Sequence, residues 1–292
     1  MSVSPSAERA ELLRYAAFTA DPSGGNPAGI VLDAAGLDDA AMLAIAAEVG
    51  YSETAFLTPP PEAGEGRAWT VRYFSPKAEV PFCGHATIAA AVALAERLGP
   101  GPLTFHTRSG TVPVEVAVDP DGRPVATLTS VEPHVTEIDR TEVARALEAL
   151  RWRADELDPA LPPRIAFAGA RHLVLAAASR ARLADLDYDA DRLVGFMTDH
   201  DLTTVHLAWR ASADVFHVRD PFPVGGVVED PATGAAAAAF GAYLRALGQA
   251  PPDAVLTLHQ GEDMGRPGVL RVELRPGDPR VRVSGTAVRI RD

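Results

Sequence analysis

Glu79-Val80-Pro81-Phe82-Cys83-Gly84-His85-Ala86-Thr87 opens an alanine-rich segment. A stretch of the same kind returns as Glu229-Asp230-Pro231-Ala232-Thr233-Gly234-Ala235-Ala236-Ala237. At an offset of 150 positions Glu79 meets Glu229, Pro81 meets Pro231, Gly84 meets Gly234 and Ala86 meets Ala236. Further along, Ala89 meets Ala239 and Leu94 meets Leu244. Each copy runs into an apolar helix that stops at a glycine, Gly99 or Gly248. Glu, Pro and Gly at fixed spacing ahead of two helices read as a two-fold internal repeat. Each half then offers a glycine-led helix N-terminus, where backbone N–H groups and the helix dipole favour an anion.

Bulk properties agree with two halves. A chain of 292 residues fits two domains of ordinary size. With 47% hydrophobic and 23% charged residues, each half can bury a core. The net charge is -12 and no Lys/Arg cluster occurs, which argues against nucleic acid or an anionic membrane as partner. An anionic small molecule stays possible, because local amides bind a carboxylate whatever the overall charge. Met1 to Leu13 lacks the pattern of a signal peptide, and no run approaches the ~20 apolar residues of a membrane span. A cytoplasmic protein is the expectation. The one cysteine, Cys83, allows no internal disulfide. There is no H-E-x-x-H and no C-x-x-C, Asp199-His200-Asp201 alone is a weak metal signal, and without a phosphate-binding G-x-x-x-x-G-K-[ST] nucleotide binding is unsupported.

Strands and helices alternate along the chain. Strand patterns lie at Tyr15–Thr19, Ala28–Leu32, Tyr51–Leu57 and Trp69–Phe74. Asp38 is placed to cap a helix that shows Met42, Ile45 and Val49 on one face and ends at Gly50. Pro59 to Gly66 reads as a solvated loop, and Thr141 as the cap of a helix reaching Trp152. Asp155 to Pro163 looks like a connection between the halves. The second half repeats the plan, with short helices near Ala181–Gly195 and closing strands at Val255–Gln260, Val269–Leu274 and Val281–Val288. The fold class is α+β, with one long Ala-rich helix in each half.

Candidate chemistry falls on few residues. Glu53 follows a helix stop and begins a strand, where side chains often project into a cleft. Tyr51 and Phe56 beside it would desolvate the carboxylate and raise its pKa, as suits a group that takes and returns a proton. The same position also fits a surface glutamate at a strand end. Gly84 and the Gly234-Ala235 pair offer amides for anion capture or for stabilising an enolate; tight helix packing is the plainer reading. His85 could donate to a substrate oxygen or simply bond near its helix start. Asp230 has no charged counterpart, since Val80 stands in the first copy. It could hold a substrate amine or hydroxyl, or cap its helix. Cys83 matches Thr233, so a two-thiol racemase scheme lacks its second thiol, and Cys83 reads as a small buried residue.

Taken together, Phe18-Thr19, Gly25-Asn26-Pro27, Ser52-Glu53-Thr54, Phe74-Ser75-Pro76 and Cys83-Gly84-His85-Ala86-Thr87 resemble the first half of the PhzF-like phenazine-biosynthesis family. Glu229-Asp230-Pro231-Ala232-Thr233-Gly234, His259-Gln260-Gly261 and Met264-Gly265-Arg266-Pro267 resemble its second half. The resemblance implies a diaminopimelate-epimerase-like fold, in which two similar α+β domains each wrap a barrel-like sheet around a central helix. The domains would span 1–130 and 131–292, with the last strands able to return to the first. It also implies an active site between the domains, a homodimer, and cofactor-free isomerase chemistry on a small carboxylate. In the phenazine enzyme a glutamate moves a proton between carbons of trans-2,3-dihydro-3-hydroxyanthranilate. By motif that glutamate is Glu53, and His85 and Asp230 assist binding and proton handling. One departure is Ala235, where the family often has serine. An epimerase or racemase, and a non-catalytic small-molecule binder of the same fold, are the alternatives.

Overall fold

The computed structural model describes residues 11–60 and 66–291, and the chain divides into two compact units. The first holds residues 27–128 together with the flanking segments up to 23 and from 285 onward; the second holds 24–26 and 129–284. Part of the expected Pro59–Gly66 loop, residues 61–65, lies outside the described residues, as do the first ten.

In the first unit the elements run β1 (Leu12–Ala17), β2 (Asn26–Val31), α1 (Asp39–Val49), β3 (Glu53–Thr58), β4 (Ala68–Phe74), β5 (Glu79–Val80), α2 (Gly84–Leu98), β6 (Gly101–Thr107), β7 (Gly110–Val118) and β8 (Pro124–Thr129). Eight strands close into a barrel in the order β1, β2, β3, β4, β6, β7, β8 and the final strand of the chain, whose Ala287, Val288 and Arg289 return to pair with Ala17, Ala16 and Tyr15. The β2–β3 and β4–β6 pairs are parallel, and each needs a helical crossover. α1 supplies the first from outside. Asp38 caps it by accepting from the Ala41 N–H, Gly50 ends it in the left-handed region, and Met42 and Ala46 pack on Phe56 and Phe74. α2 supplies the second from inside. His85 to Ala95 are buried without a break, which only a helix enclosed on all sides shows. Alanines make that enclosure possible, because a narrow helix fits a small barrel.

The second unit repeats this plan with β9 (His134–Glu137), α3 (Arg140–Leu150), β10 (Arg164–Phe167), β11 (Arg171–Ala176), α4 (Arg180–Ala184), α5 (Ala190–Asp199), β12 (Thr204–Arg210), β13 (Val215–Pro221), β14 (Glu229–Asp230), α6 (Gly234–Ala246), β15 (Val255–Gln260), β16 (Gly268–Arg275) and β17 (Asp278–Arg289). Its sheet runs β9, β10, β11, β12, β13, β15, β16, β17, again with two parallel steps, β11–β12 and β13–β15. α6 lies against β9, β10, β11, β12 and β16, so the sheet curls around it. Gly241 shows how close the approach is: a Cβ there would sit 2.7 Å from Val272 and 3.1 Å from Val281. α3 and α5 cover the outer face through Leu147, Leu150, Leu193 and Phe196.

Two local expectations need correction. Thr141 is not a cap; α3 starts two residues earlier than a Thr141 cap would place it, at Arg140 behind Asp139. Asp155–Pro163 is no boundary, because it lies inside the second unit and is tied there by Asp158 and Ala178 backbone bonds to Ala176 and Glu156. Among the described residues no helix is long and apolar enough to cross a membrane.

Candidate active site

The repeat copies have the same construction. In the first unit, β5 pairs with the end of β4, setting Glu79 opposite Phe74 and Val80 opposite Tyr73. Arg72, two residues before Phe74, grips Glu79 with Nε and Nη2 at 2.8 and 2.7 Å. In the second, β14 pairs with the end of β13, setting Glu229 opposite Pro221 and Asp230 opposite Asp220. Arg219, two residues before Pro221, grips Glu229 at 2.9 and 2.5 Å. The repeated glutamate is thus a strut: a bidentate pair pins a two-residue strand from which the helix starts. The environments differ. Arg72 holds the Glu79 carboxyl below the usual carboxylate range, whereas burial pushes Glu229 up against the pull of Arg219.

At the first helix start the side chains of Glu53, Cys83 and His85 meet. Glu53 heads β3, and its Oε2 lies 3.5 Å from Cys83 Sγ and 3.5 Å from His85 Nε2. Cys83 Sγ is 3.4 Å from His85 Nδ1 and 3.8 Å from Nε2, and Ser52 Oγ is 3.4 Å from Nε2. Cys83 and His85 are buried, and Glu53 keeps 17% of its side chain exposed. Burial raises the Glu53 pKa, and hydrogen bonds from Ser52 and Cys83 pull it part of the way back. Cys83 is therefore more than a small buried residue: its thiol touches both candidate acid–base groups. The scaffold beneath is Thr87, which donates to the Cys83 carbonyl at 2.6 Å and shares a 2.6 Å bond with Tyr73. The first intrahelical bond runs from Thr87 N to Cys83 O, so the amides of Gly84, His85 and Ala86 point to the helix's N-terminal end.

The second helix start is wired as a chain of donors. Gln260 Nε2 donates to Thr233 Oγ1 at 2.9 Å, and Thr233 Oγ1 donates to Asp230 Oδ2 at 2.6 Å. Asn26 Nδ2 donates to Asp230 Oδ1 at 2.8 Å. Gln260 also accepts from the Thr233 N–H and donates to the Asp230 carbonyl. Two of these bonds, from Thr233 Oγ1 and Asn26 Nδ2, present donors to the two oxygens of the Asp230 carboxylate. Gly234 leads α6, and Ala235 is its second residue; the first intrahelical bond runs from Ala237 N to Thr233 O. Asn26, Thr233 and Gln260 carry no signal of function when read singly. The Asn26–Asp230 contact spans 204 positions.

The structure thus brings together Glu53 and His85 in the first unit, and Asp230, Gly234 and Ala235 in the second. The sequence profile of the family described as phenazine biosynthesis-like protein matches residues 15–292. The chain belongs to that family. An isomerase of Bacillus subtilis is 30% identical, over 96% of this chain and 97% of that protein. The trans-2,3-dihydro-3-hydroxyanthranilate isomerase of Pseudomonas chlororaphis is 32% identical, over 93% of this chain and 94% of that protein. The crystal structure of a PhzF-family phenazine biosynthesis protein from Bacillus anthracis superposes with a TM-score of 0.84 at 26% identity, over 96% of this chain and 98% of that one. The fold is accordingly the epimerase-like one, and this phenazine biosynthesis-like protein is an isomerase.

Proposed function

We propose that the protein shifts a proton between two carbons of a small carboxylate substrate, with Glu53 as base and then acid. One observation carries this reading: Glu53 is a carboxylate whose proton affinity is raised by burial, held at a strand head beside His85. A carbon acid next to a carboxylate needs a base of raised pKa and a partner for the charge that develops. Glu53 removes the proton from one carbon and leaves an enolate. The free backbone amides at the head of α2, Gly84 among them, hold the carboxylate and the developing charge. Glu53 then returns the proton to another carbon, so the step involves no net oxidation. His85, beside Glu53, orients the substrate. The Pseudomonas chlororaphis relative supports a cyclic amino acid as the first substrate to try.

Racemisation is the weaker reading, because it needs a base on the opposite face. The repeat counterpart of Cys83 is Thr233, and its hydroxyl is committed to Asp230.

The test is solvent-deuterium incorporation into trans-2,3-dihydro-3-hydroxyanthranilate and a panel of small cyclic amino acids, in chelator-treated protein. Glu53→Gln is expected to lose exchange by about 10²–10⁴-fold, the usual weight of a general acid–base group, while binding is kept. Full exchange in that variant would sink the assignment.

A further inference from the structure

Glu53, Cys83 and His85 share a property that proton transfer does not use. Each offers one ligand atom, and these atoms lie within 4.8 Å of one another. A tetrahedral Zn²⁺ with bonds of about 2.0–2.3 Å holds its ligand atoms roughly 3.4–3.6 Å apart. The three edges here are 3.5 Å from Cys83 Sγ to Glu53 Oε2, 3.5 Å from His85 Nε2 to Glu53 Oε2, and 3.8 Å from Cys83 Sγ to His85 Nε2. That triangle is close to one face of a zinc tetrahedron before any side chain moves. The donor set is thiolate, imidazole and carboxylate, which favours Zn²⁺ and similar soft cations over Mg²⁺ or Ca²⁺. Cys83 and His85 are fixed in the first turn of α2, and Glu53 at the head of β3. Glu53 keeps some exposure, so the fourth corner can carry water.

We propose that Glu53, Cys83 and His85 form a three-ligand site for a thiophilic divalent cation such as Zn²⁺, and that its binding switches the enzyme off. The thiol releases its proton as the sulfur–metal bond forms, and no electron changes hands. The bound cation occupies the Glu53 carboxylate, which can then no longer take a proton from carbon. The ligand set rests on geometry alone; only the inhibition rests on Glu53 being the base.

Co²⁺ titrated into the reduced, metal-free protein tests the site, because a thiolate–cobalt bond adds a charge-transfer absorption in the near ultraviolet. Cys83 is the single cysteine of the chain, so that band can arise from no other residue. The expected result is a band that saturates at one Co²⁺ per chain, carries the visible absorption of tetrahedral cobalt, and disappears when Zn²⁺ is added. Cys83→Ser is expected to lose the band, and His85→Gln to weaken Co²⁺ binding by roughly 10-fold or more. No charge-transfer band in the wild-type protein, or an unchanged band in Cys83→Ser, overturns the proposal. The wild-type titration decides even if a variant fails to fold. Deuterium exchange in chelator-treated protein is a separate readout, so the metal site and the proton-transfer role can fail independently.

Discussion

At Glu53 burial opposes ionisation while the strand head fixes where the carboxylate stands. The pKa in the folded chain lies above that in the unfolded chain, so between the two values the folded chain holds the extra proton. Stability therefore falls as pH rises through that window, and the loss persists above it. Glu53→Gln is expected to unfold at equal or higher urea concentration than wild type at pH 7, with activity lost; a clear drop in midpoint would mean the carboxylate is structural. The acidic limb of the pH–rate profile should lie above the ordinary carboxylate range. His172 shows the opposite case. It is fully buried, its Nδ1 shares a 2.8 Å hydrogen bond with Thr204 Oγ1, and burial lowers its pKa from 6.5 to about 4. The unfolded chain binds that proton first, so stability is lost as pH falls from 6.5 towards 4, by up to about 3 kcal/mol. His172→Gln should flatten that acid slope in urea titrations; an unchanged slope would refute the assignment. Among single residues the sequence exposes Glu53, His85 and Asp230 through their motifs. It hides the contact of Cys83 with Glu53, because positions 53 and 83 meet only through the antiparallel β3–β4 and β4–β5 pairings, and it hides Asn26 as the partner of Asp230, 204 positions away.

Helices with local signals are legible: the Asp38 cap, the Gly50 stop and the glycine-led starts of α2 and α6 all stand in the sequence within a few residues of their effects. The arginines that hold the repeated glutamates are not, since nothing in Arg72 or Arg219 alone distinguishes a strut from a surface cation. Once the two pairs are seen, they make a quantitative contrast. Arg219 and Glu229 are both nearly enclosed, with 9% and 3% of their side chains exposed. Arg72 keeps 27% and has Asp39 as a second acceptor. Removing one partner of a buried pair leaves a stranded charge and costs about 3–5 kcal/mol, while a solvent-exposed pair is worth about 0–1; the Arg72–Glu79 pair, at 27% and 12% exposed, lies between the two. Glu229→Gln should therefore lower the urea midpoint much further than Glu79→Gln. Equal losses would show that burial does not separate the two struts.

For each unit as a body, the repeat predicts two similar α+β halves, and the matching strand orders bear this out, parallel steps included. What stays hidden is the closure of the first barrel by the far end of β17, which pairs positions 15 and 289 and has no local signal. Deleting the residues after Ser284 should open that barrel. Hydrogen exchange would then show Tyr15–Ala17 unprotected while β11 and β12 stay protected; retained protection in β1 would contradict the closing role. The same strand has a consequence for biosynthesis. On a ribosome the first unit is begun early, yet its closing strand is translated after every other strand described. The nascent chain must carry an unsealed barrel, with the edges of β1 and β8 exposed, through the synthesis of some 150 further residues. Maturation of the first-made half thus waits until β17 has been translated, and that interval is when a chaperone holding exposed strand edges would matter most.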